Sequence, residues 1–461
     1  MAKNTHEIRD PIHVFVRLDS YERQVLNSRP FQRLRHIHQL ALSHLVYPGA
    51  THKRFEHSLG VMELAGRVFD VITRRDAVQE EIRELLPEID NASRLTYWRS
   101  ALRMAALCHD LGHLPFSHTG EGLLPKGWDH ERLTVDIIMS KEMEPIWEDM
   151  KLDPKDIAKL AVGPEDAAEL GLGAFSTWQE ILAEIIVGDA FGVDRMDYLL
   201  RDSYHAGVTY GRFDHYRLID TLRILTAPPL KRRIKSTENK KLESESKEAL
   251  DESTEPMLGV EKGGLHSAES LLLARYFMFS QVYCHPVRRI YDIHLRDFLK
   301  EWLPKGTFGT TIAKHMSLTD AEVTSALRRA CKSKRAKGHE HARRILNREH
   351  FKVLYTRNPD DIEQNPDAVE VIHSAAQKKF GAEHVRVDAY TQRGGAPDFP
   401  VLEKDGRIVS SLAESQTLKN LPVVATGYVF VSRECQAEAL AWLQQNREDI
   451  LASEEKEKSE Q

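Results

Sequence analysis

Residues 108–113 read Cys-His-Asp-Leu-Gly-His, and this stretch decides how the rest of the chain is interpreted. Apolar residues recur at helical spacing before it, so His109 and Asp110 stand at the end of a predicted helix. Adjacent His and Asp offer an imidazole nitrogen and a carboxylate oxygen to one divalent cation, such as Mn, Fe, Zn or Mg. Taken alone, such a pair is more often only the polar end of a helix.

A second histidine strengthens the metal interpretation. His57 lies in the stretch Arg-Phe-Glu-His-Ser-Leu-Gly at residues 54–60. If this segment is helical, Arg54 is one turn before His57 on the same face, so a metal ligand and a phosphate-binding cation point the same way. Arg54 and Glu56 taken singly would be more typical of a solvated helix face.

A third segment, residues 189–198, contains Asp194 and Arg195. In a helix, Asp194, Tyr198 and Asp202 fall at i, i+4 and i+8. One ridge then carries a candidate metal ligand, an aromatic hydroxyl and a carboxylate. The commoner role for a pair such as Asp194 and Arg195 is a surface ion pair.

The order His57, His109-Asp110, Asp194 resembles the signature of HD-domain metal-dependent phosphohydrolases. Longer strings at 31–35, 38–40, 47–52, 54–60 and 108–116 narrow the resemblance to the HD-domain deoxynucleoside triphosphate (dNTP) triphosphohydrolase family, which has animal and bacterial members. The likeness covers roughly residues 8–300, and it is specific because several ordered motifs coincide. It implies an enzyme that cleaves a dNTP to the deoxynucleoside and inorganic triphosphate.

The resemblance also implies a cofactor. His57, His109, Asp110 and Asp194 match the positions that hold one divalent transition metal, which is Mn, Fe or Zn, while Mg accompanies the triphosphate. The metal lowers the pKa of a bound water and withdraws charge from a phosphoryl oxygen.

Substrate contacts follow from the same resemblance. Arg54 and Arg195 match phosphate-clamping positions, and relatives carry Lys where this chain has Arg195. The positions that match sugar contacts are Tyr198, Asp202, Gln39 and Leu40. Leu40 crowds a ribose 2′-hydroxyl, which favours deoxynucleotides on steric grounds.

Three histidines follow the predicted ligands in the matching catalytic pocket. A departing 5′-oxygen needs a proton, and imidazole has a suitable pKa near neutrality. We assign His118 as the general acid, with Glu121 holding it oriented and protonated, and His113 and His130 as phosphate contacts. For each histidine the alternative is a helix cap or a structural role.

Regulated members of this family bind a guanine nucleotide at a second site. Arg9 and Asn27 stand where those members carry Asn and Asp, whereas Gln32 and Arg35 are retained. The resemblance therefore implies a possible nucleotide effector and a homo-oligomer, either a dimer or a tetramer, but it leaves activation by GTP and the base preference open.

The composition limits which other classes of protein this chain could belong to. Among 461 residues, 41% are hydrophobic, 29% are charged and the formal charge is −6, which describes a soluble globular protein and argues against a non-specific grip on nucleic acid. No segment predicts a membrane span or an exported leader. Four separated cysteines fit a reducing compartment, so we expect a cytoplasmic protein.

The chain divides by composition. We predict a mainly α fold, with an HD-type helical bundle at 1–305 that contains a mobile polar insertion at 231–257. A smaller α+β region follows at 306–452, with a charged tail at 453–461. Strand patterns are scarce before residue 305.

Two other functions stay open at this stage. An HD site specifies only water activation and phosphate binding, so another nucleotide or a single-stranded nucleic acid is an alternative substrate. The basic run at 328–348 is compatible with a nucleic-acid-binding assembly protein, although a solvated helix face is the more common meaning of such a run.

Overall fold

The structure is a computed structural model that describes residues 5–226, 255–392 and 394–459, with side chains as far as residue 452. The predicted insertion at 231–257 lies outside the described residues except for its last three. Of these, Pro256 and Met257 begin a strand.

Helices dominate the described chain, which confirms the mainly α prediction. The helices before residue 305 are α1 (Glu22–Asn27), α2 (Arg29–Arg33), α3 (Arg54–Ile72), α4 (Glu80–Leu85), α5 (Ala92–Cys108), α6 (His130–Ile138), α7 (Glu144–Met150), α8 (Pro154–Glu169), α9 (Thr177–Val187), α10 (Val193–Ala206), α11 (His215–Thr221), α12 (Leu265–Met278) and α13 (Pro286–Trp302). Those after it are α14 (Ile312–Met316), α15 (Asp320–Cys331), α16 (His339–Leu346), α17 (Pro359–Gln364), α18 (Ala368–Phe380), α19 (Ser411–Glu414), α20 (Gln416–Lys419) and α21 (Gln436–Ser459).

Three small sheets accompany the helices. The strands are β1 (Thr5–Asp10), β2 (Val14–Asp19), β3 (Leu222–Thr226), β4 (Pro256–Glu261), β5 (Lys352–Thr356), β6 (Val385–Thr391), β7 (Pro400–Leu402), β8 (Ile408–Ser410) and β9 (Ala425–Val431). β1 and β2 form an antiparallel hairpin, and β5-β9-β6 form an antiparallel sheet. The third sheet has the order β3-β4-β7-β8, and its β4–β7 pair is parallel.

The sequence missed the strands before residue 305. β1 escapes detection because Ile8 is its one apolar residue, and in β2 three consecutive apolar residues, 14–16, precede a short alternation. β3 and β4 flank the stretch 227–254, which separates two strands that pair with each other.

The main core is built by α3, α5, α8, α9, α10 and α12. Each of the helices that carries a predicted ligand has a clear boundary. The backbone N–H of Lys53 donates to Glu56 Oε1 at 2.8 Å at the start of α3, and Asn91 caps α5 through Arg94 N at 3.1 Å. α10 ends at Gly207, whose φ of 74° is the left-handed conformation that glycine adopts readily.

The region after residue 305 contributes to more than one core. Helices α15 and α16 of this region pack, together with α13, around the segment that follows His109, including Leu114 and Phe116. Strand β7 joins the sheet of β3 and β4, and Phe399 packs in the main core. The sheet β5-β9-β6 packs with α18 and α21 in a core of its own.

None of the helices in the described part of the chain combines the length and the apolar composition that a bilayer crossing requires.

One buried histidine of the region after residue 305 predicts a pH effect on stability. Burial lowers the pKa of His315 in α14 to about 3, and its Nε2 donates to Leu111 O at 3.3 Å. In the unfolded chain the imidazole of this residue takes up a proton near pH 6.5, whereas in the folded protein it stays neutral until the pH approaches 3. The stabilisation is therefore complete above pH 6.5 and is lost as the pH falls towards 3. We expect His315→Gln to flatten the pH dependence of the unfolding free energy by up to about 1.4 kcal/mol per pH unit between pH 4 and 6.5.

The measurement is urea unfolding at several pH values, with the exposed His266→Gln as the control. Identical pH slopes in wild type and His315→Gln would contradict the assignment.

Candidate metal centre and its surroundings

Three helices bring the predicted metal ligands together. His57 Nε2 in α3 lies 2.9 Å from Asp194 Oδ1 in α10 and 3.7 Å from Asp110 Oδ2. His109 Nε2, at the end of α5, lies 3.5 Å from the same Asp194 oxygen and 3.4 Å from Asp110 Oδ1. One ligand atom from each of His57, His109 and Asp194 falls within 4.8 Å of the others.

The donor set fits a divalent metal. The Nδ1–H of His109 donates to Ala106 O at 2.7 Å, which leaves Nε2 with its lone pair, and this buried Nε2 makes no hydrogen bond. His57 Nδ1 is hydrogen-bonded to Asp197 Oδ2 at 2.8 Å. A second hydrogen bond of this kind orients metal-binding histidines in proteins. The orphaned nitrogen and the mixed nitrogen and oxygen donors could hold a divalent metal.

Asp197 anchors this arrangement, and sequence reasoning missed it. Its carboxylate is fully buried and accepts hydrogen bonds from His13 Nε2 at 2.6 Å, from Arg201 Nε at 2.8 Å and from His57. Arg201 Nη1 also donates to Asp10 at 2.8 Å. Burial raises the pKa of Asp197, but Arg201 and the histidines outweigh it and hold the pKa well below its usual range. The available signal was the i, i+4 spacing of Asp197 and Arg201 in α10.

Arg54 contacts the predicted metal ligand Asp110 and is shielded from solvent. Its guanidinium is buried, with Nη1 donating to Asp110 Oδ2 at 2.6 Å and Nε donating to Ser117 Oγ at 2.9 Å. Burial raises the pKa of Asp110, while Arg54 and the neighbouring histidines lower it well below its usual range. In this structure, therefore, Arg54 holds the Asp110 carboxylate ionised and in place, and its phosphate contact stays a prediction.

The three catalytic-pocket histidines form one cluster. His113 stacks on His130 with ring centroids 4.1 Å apart and meets His118 edge-on at 4.8 Å. Glu121 bridges the outer pair, with Oε2 3.1 Å from His118 Nδ1 and Oε1 in a short contact with His130 Nδ1. His118 is the most accessible of the three, with 62% of its side chain exposed against 3% for His113.

The surroundings shift the pKa values of these imidazoles in different directions. Burial lowers the pKa of His130, but the hydrogen bond that it donates to Glu121 and the charge of Glu131 outweigh burial and raise the pKa. The pKa of His118 is lowered despite its own hydrogen bond to Glu121, and that of His113 is well below its usual value. The Glu121 carboxylate thus favours the charged form of His130, and its role in holding His118 oriented and protonated stays a prediction.

The predicted sugar contacts lie beside the metal centre. Asp202 is buried, and its two oxygens are 2.7 Å from His52 Nε2 and from the Tyr283 hydroxyl. Tyr283 meets Tyr198 edge-on at 6.1 Å. Sequence analysis did not assign His52 or place Tyr283 here, because a π-helical turn at Phe279–Tyr283 breaks the periodicity after α12.

Polar atoms without partners mark the open part of the site. Gln39 Oε1, Arg195 Nε and Arg275 Nε are buried and make no hydrogen bond, while Leu40 next to Gln39 is buried. Arg195 Nη1 donates to Gly188 O at 2.9 Å, and the positive charge of Arg195 lowers the pKa of the Arg275 guanidinium, as burial also does. Arg275 was not predicted. Buried polar atoms in proteins are normally paired, so this group indicates a ligand-facing surface.

Another histidine cluster in the described chain lacks these properties. His294, Asp297 and His341 also bring ligand atoms within 4.8 Å of one another. However, His294 Nε2 accepts from Phe351 N at 3.3 Å, so its proton is on Nδ1, and Asp297 is paired with Arg386 at 3.2 Å. A protonated Nδ1 has no lone pair for a metal, so packing and ion pairing account for this cluster.

Comparison with family models places two matches on the chain. The HD domain matches residues 54–163, which include His57, His109, Asp110 and the catalytic-pocket histidines. The HD associated region matches residues 251–391, which include Tyr283 and Arg275.

Whole-chain comparisons agree with these matches. A hypothetical protein from Aquifex aeolicus has a solved structure that superposes with a TM-score of 0.72 at 32% identity, covering 95% of this chain and 100% of that one. The uncharacterized protein YwfO of Bacillus subtilis is 31% identical over 63% of this chain and 54% of its own length. The human deoxynucleoside triphosphate triphosphohydrolase SAMHD1 is 35% identical over 47% of this chain and 36% of its own length. The chain thus spans about half of YwfO and about a third of the human protein.

The close contact between α3 and α10 predicts that Gly60→Ala strongly lowers the unfolding free energy. A Cβ at Gly60 would lie 1.9 Å from Asp197 Oδ1 and 2.6 Å from Arg201 Nη2. Neither group has room to retreat because both are fully buried, so we expect a loss of about 2–3 kcal/mol in unfolding free energy. Gly395→Ala, where a Cβ meets nothing within 4 Å, is the control in chemical denaturation. Equal stability of the two variants would contradict the described packing.

The donor set predicts that His109→Ala lowers the metal content. Removal of one ligand leaves too few donors for tight binding, so we expect the stoichiometry after dialysis against buffer to fall from about one to below about 0.2 per chain. Elemental analysis measures this, with exposed His266→Ala as the control. Full metal content in His109→Ala would exclude this nitrogen as a ligand.

Proposed function

Because the chain belongs to the HD-domain family that includes deoxynucleoside triphosphate triphosphohydrolases, we propose that it hydrolyses dNTPs to the deoxynucleoside and inorganic triphosphate. The observation that carries the proposal is the convergence of His57, His109 and Asp194 beside a cluster of three histidines. Metal ligands next to a proton-donating group form the minimum equipment for hydrolysis of a phosphate ester.

The cofactor would be held by His57, His109, Asp110 and Asp194. When bound there, a divalent metal lowers the pKa of a bound water and withdraws charge from a phosphoryl oxygen. Mn, Fe or Zn suits this mixed donor set, and Mg would accompany the triphosphate as part of the substrate.

The histidine cluster would supply the proton. Water adds its oxygen to the α-phosphorus, the bond from that phosphorus to O5′ breaks, and O5′ leaves with a proton from His118. Glu121 contacts both His118 and His130, so its carboxylate would orient the accessible imidazole and favour its protonated form. Negative phosphates in the cleft would raise the pKa of His118 further.

The substrate would bind against the buried polar atoms that have no hydrogen-bond partner in the structure. Arg195 and Arg275 each have a buried Nε–H without a partner, which could donate to a phosphate oxygen. His113, on the loop that follows Asp110, would be a further phosphate contact. Gln39, Tyr198 and Asp202 would contact the sugar. Leu40 would crowd a 2′-hydroxyl, so deoxynucleotides are the favoured substrates.

The nucleic-acid alternative has less support. In the basic run 328–348, Arg343 pairs with Glu340 and Glu349, and the Arg344 guanidinium lies 4.5 Å from the centroid of the Phe351 ring. Arg348 donates to Leu45 O at 2.8 Å. These contacts indicate that much of the run stabilises the chain itself.

A nucleotide effector and a homo-oligomer are further parts of the proposal. Gln32 Nε2 donates to Leu26 O at 2.7 Å, and Arg35 donates to Gln32 Oε1 at 2.9 Å while its guanidinium lies over the Phe55 ring. Arg9 lies over the ring of Phe15. Effector binding would have to compete with these contacts.

The test is incubation of the purified protein with each dNTP, with Mn or Mg, and with and without mixed nucleotides as activators. Product chromatography should show deoxynucleoside and inorganic triphosphate in equal amounts. Release of monophosphate or diphosphate, or no turnover under any of these conditions, would contradict the proposal.

A substitution of His118 tests its assignment as the general acid. His118→Gln should lower kcat by about 10²- to 10⁴-fold, because the leaving oxygen loses its proton donor. Metal content should remain that of wild type, since His118 is not among the predicted ligands. A kcat within threefold of wild type would assign the proton to another group.

A further inference from the structure

A buried carboxylate from α15 contacts the loop that follows the metal ligands. Asp320 Oδ1 accepts from Phe116 N at 2.7 Å, and Asp320 Oδ2 accepts from His38 N at 2.7 Å and His38 Nδ1 at 2.5 Å. Asp320 lies about 200 residues after Phe116 in sequence and belongs to the region after residue 305. One side chain thus joins that region to two segments of the HD bundle.

The loop is held in a conformation that its residues disfavour. We call residues 110–121 the HD loop. Phe116 and Ser117 have φ values of 58° and 57°, which place two consecutive non-glycine residues in the left-handed region. Such strain persists only where surrounding contacts fix the backbone. The hydrogen bond from Phe116 N to Asp320 is one such contact, at the strained residue itself.

The strained residues are connected to a metal ligand. Ser117 Oγ donates to His38 O at 2.7 Å and accepts from Arg54 Nε at 2.9 Å. Arg54 Nη1 in turn donates to Asp110 Oδ2 at 2.6 Å. The position of Phe116 and Ser117 therefore sets the position of Arg54, and through it the orientation of the Asp110 carboxylate.

Hydrogen bonds from two other side chains, Arg33 and His315, also hold the HD loop. Arg33 Nη1 donates to His113 O at 2.9 Å and Arg33 Nε donates to Leu318 O at 3.0 Å. His315 donates to Leu111 O. The segment 315–320 thus contacts the HD loop directly at the backbone of Leu111 and Phe116, and it reaches the backbone of His113 through Arg33.

We propose that Asp320 is a positioning residue that holds the HD loop in the conformation required by Asp110, Arg54 and His118. Asp320 does not touch the metal ligands or the substrate pocket directly. It acts through the backbone of Phe116 and through His38. The catalytic consequence rests on the proposed dNTP hydrolysis, whereas the effect on the loop does not.

The first measurement is hydrogen–deuterium exchange of the metal-free protein, followed by mass spectrometry of peptides that cover residues 111–123. Asp320→Asn keeps the shape of the side chain but turns one acceptor into an amide donor. We expect exchange in these peptides to be at least about tenfold faster than in wild type, while peptides from α8 and α9 keep their protection. Asp320→Glu, which keeps the charge and displaces the oxygens, should show the same local change and serves if Asp320→Asn does not fold.

A matched control is Asp361→Asn. Asp361 is another buried carboxylate of the region after residue 305, and it accepts hydrogen bonds from Tyr355, Asn358 and Arg447, none of which contacts the HD loop. It should leave exchange at 111–123 unchanged.

The second measurement is steady-state kinetics with a dNTP. The Asp320 variants should lower kcat/KM by at least about tenfold, because the HD loop carries His118 and His113 and is bonded to Arg54, whereas Asp361→Asn should keep the kcat/KM of wild type. Unchanged exchange at 111–123 in the folded Asp320 variants, or faster exchange spread evenly over the chain, would overturn the proposal. If wild type hydrolyses no dNTP, the proposed function fails, and the exchange measurement alone decides the role of Asp320.

Discussion

The fully buried ion pair between Asp197 and Arg201 is the interaction on which the metal centre depends. A buried carboxylate is costly unless positive charge and hydrogen bonds compensate it, and Asp197 receives both from Arg201, His13 and His57. These contacts join α10 to α3 and to the β1–β2 hairpin. Because His57 is bound through its Nδ1, its Nε2 has one direction left, towards Asp194.

Compensation of a buried negative charge also occurs at a second carboxylate. Asp110 is buried, and Arg54 compensates its charge while also bonding Ser117 on the strained part of the HD loop. Charge compensation therefore does two things in this molecule. It keeps the carboxylates ionised, as metal binding requires, and it connects each ligand to the backbone that must hold it.

The sequence was informative where several ordered motifs resemble those of a known family. That resemblance predicted His57, His109, Asp110 and Asp194 as one ligand set, and in the structure each of the two histidines lies within 3.7 Å of both carboxylates. It was less informative about the groups that support these residues. His13 and Asp320 act through contacts between segments far apart in the chain, for which a single sequence contains no local pattern. The one local signal for Asp197 was its i, i+4 spacing from Arg201. The pKa values of His118 and His130 are shifted in opposite directions, which depends on contacts with Glu121 and Glu131 that only the folded arrangement determines.

The central claim is that His57, His109, Asp110 and Asp194 bind one divalent metal. The most direct test is anomalous diffraction from crystals of the Mn-loaded protein, collected on both sides of the Mn absorption edge. The account predicts one strong anomalous peak between His57 Nε2 and His109 Nε2, within bonding distance of carboxylate oxygens from Asp110 and Asp194. A peak only at another histidine cluster, such as His294 and His341, would contradict it.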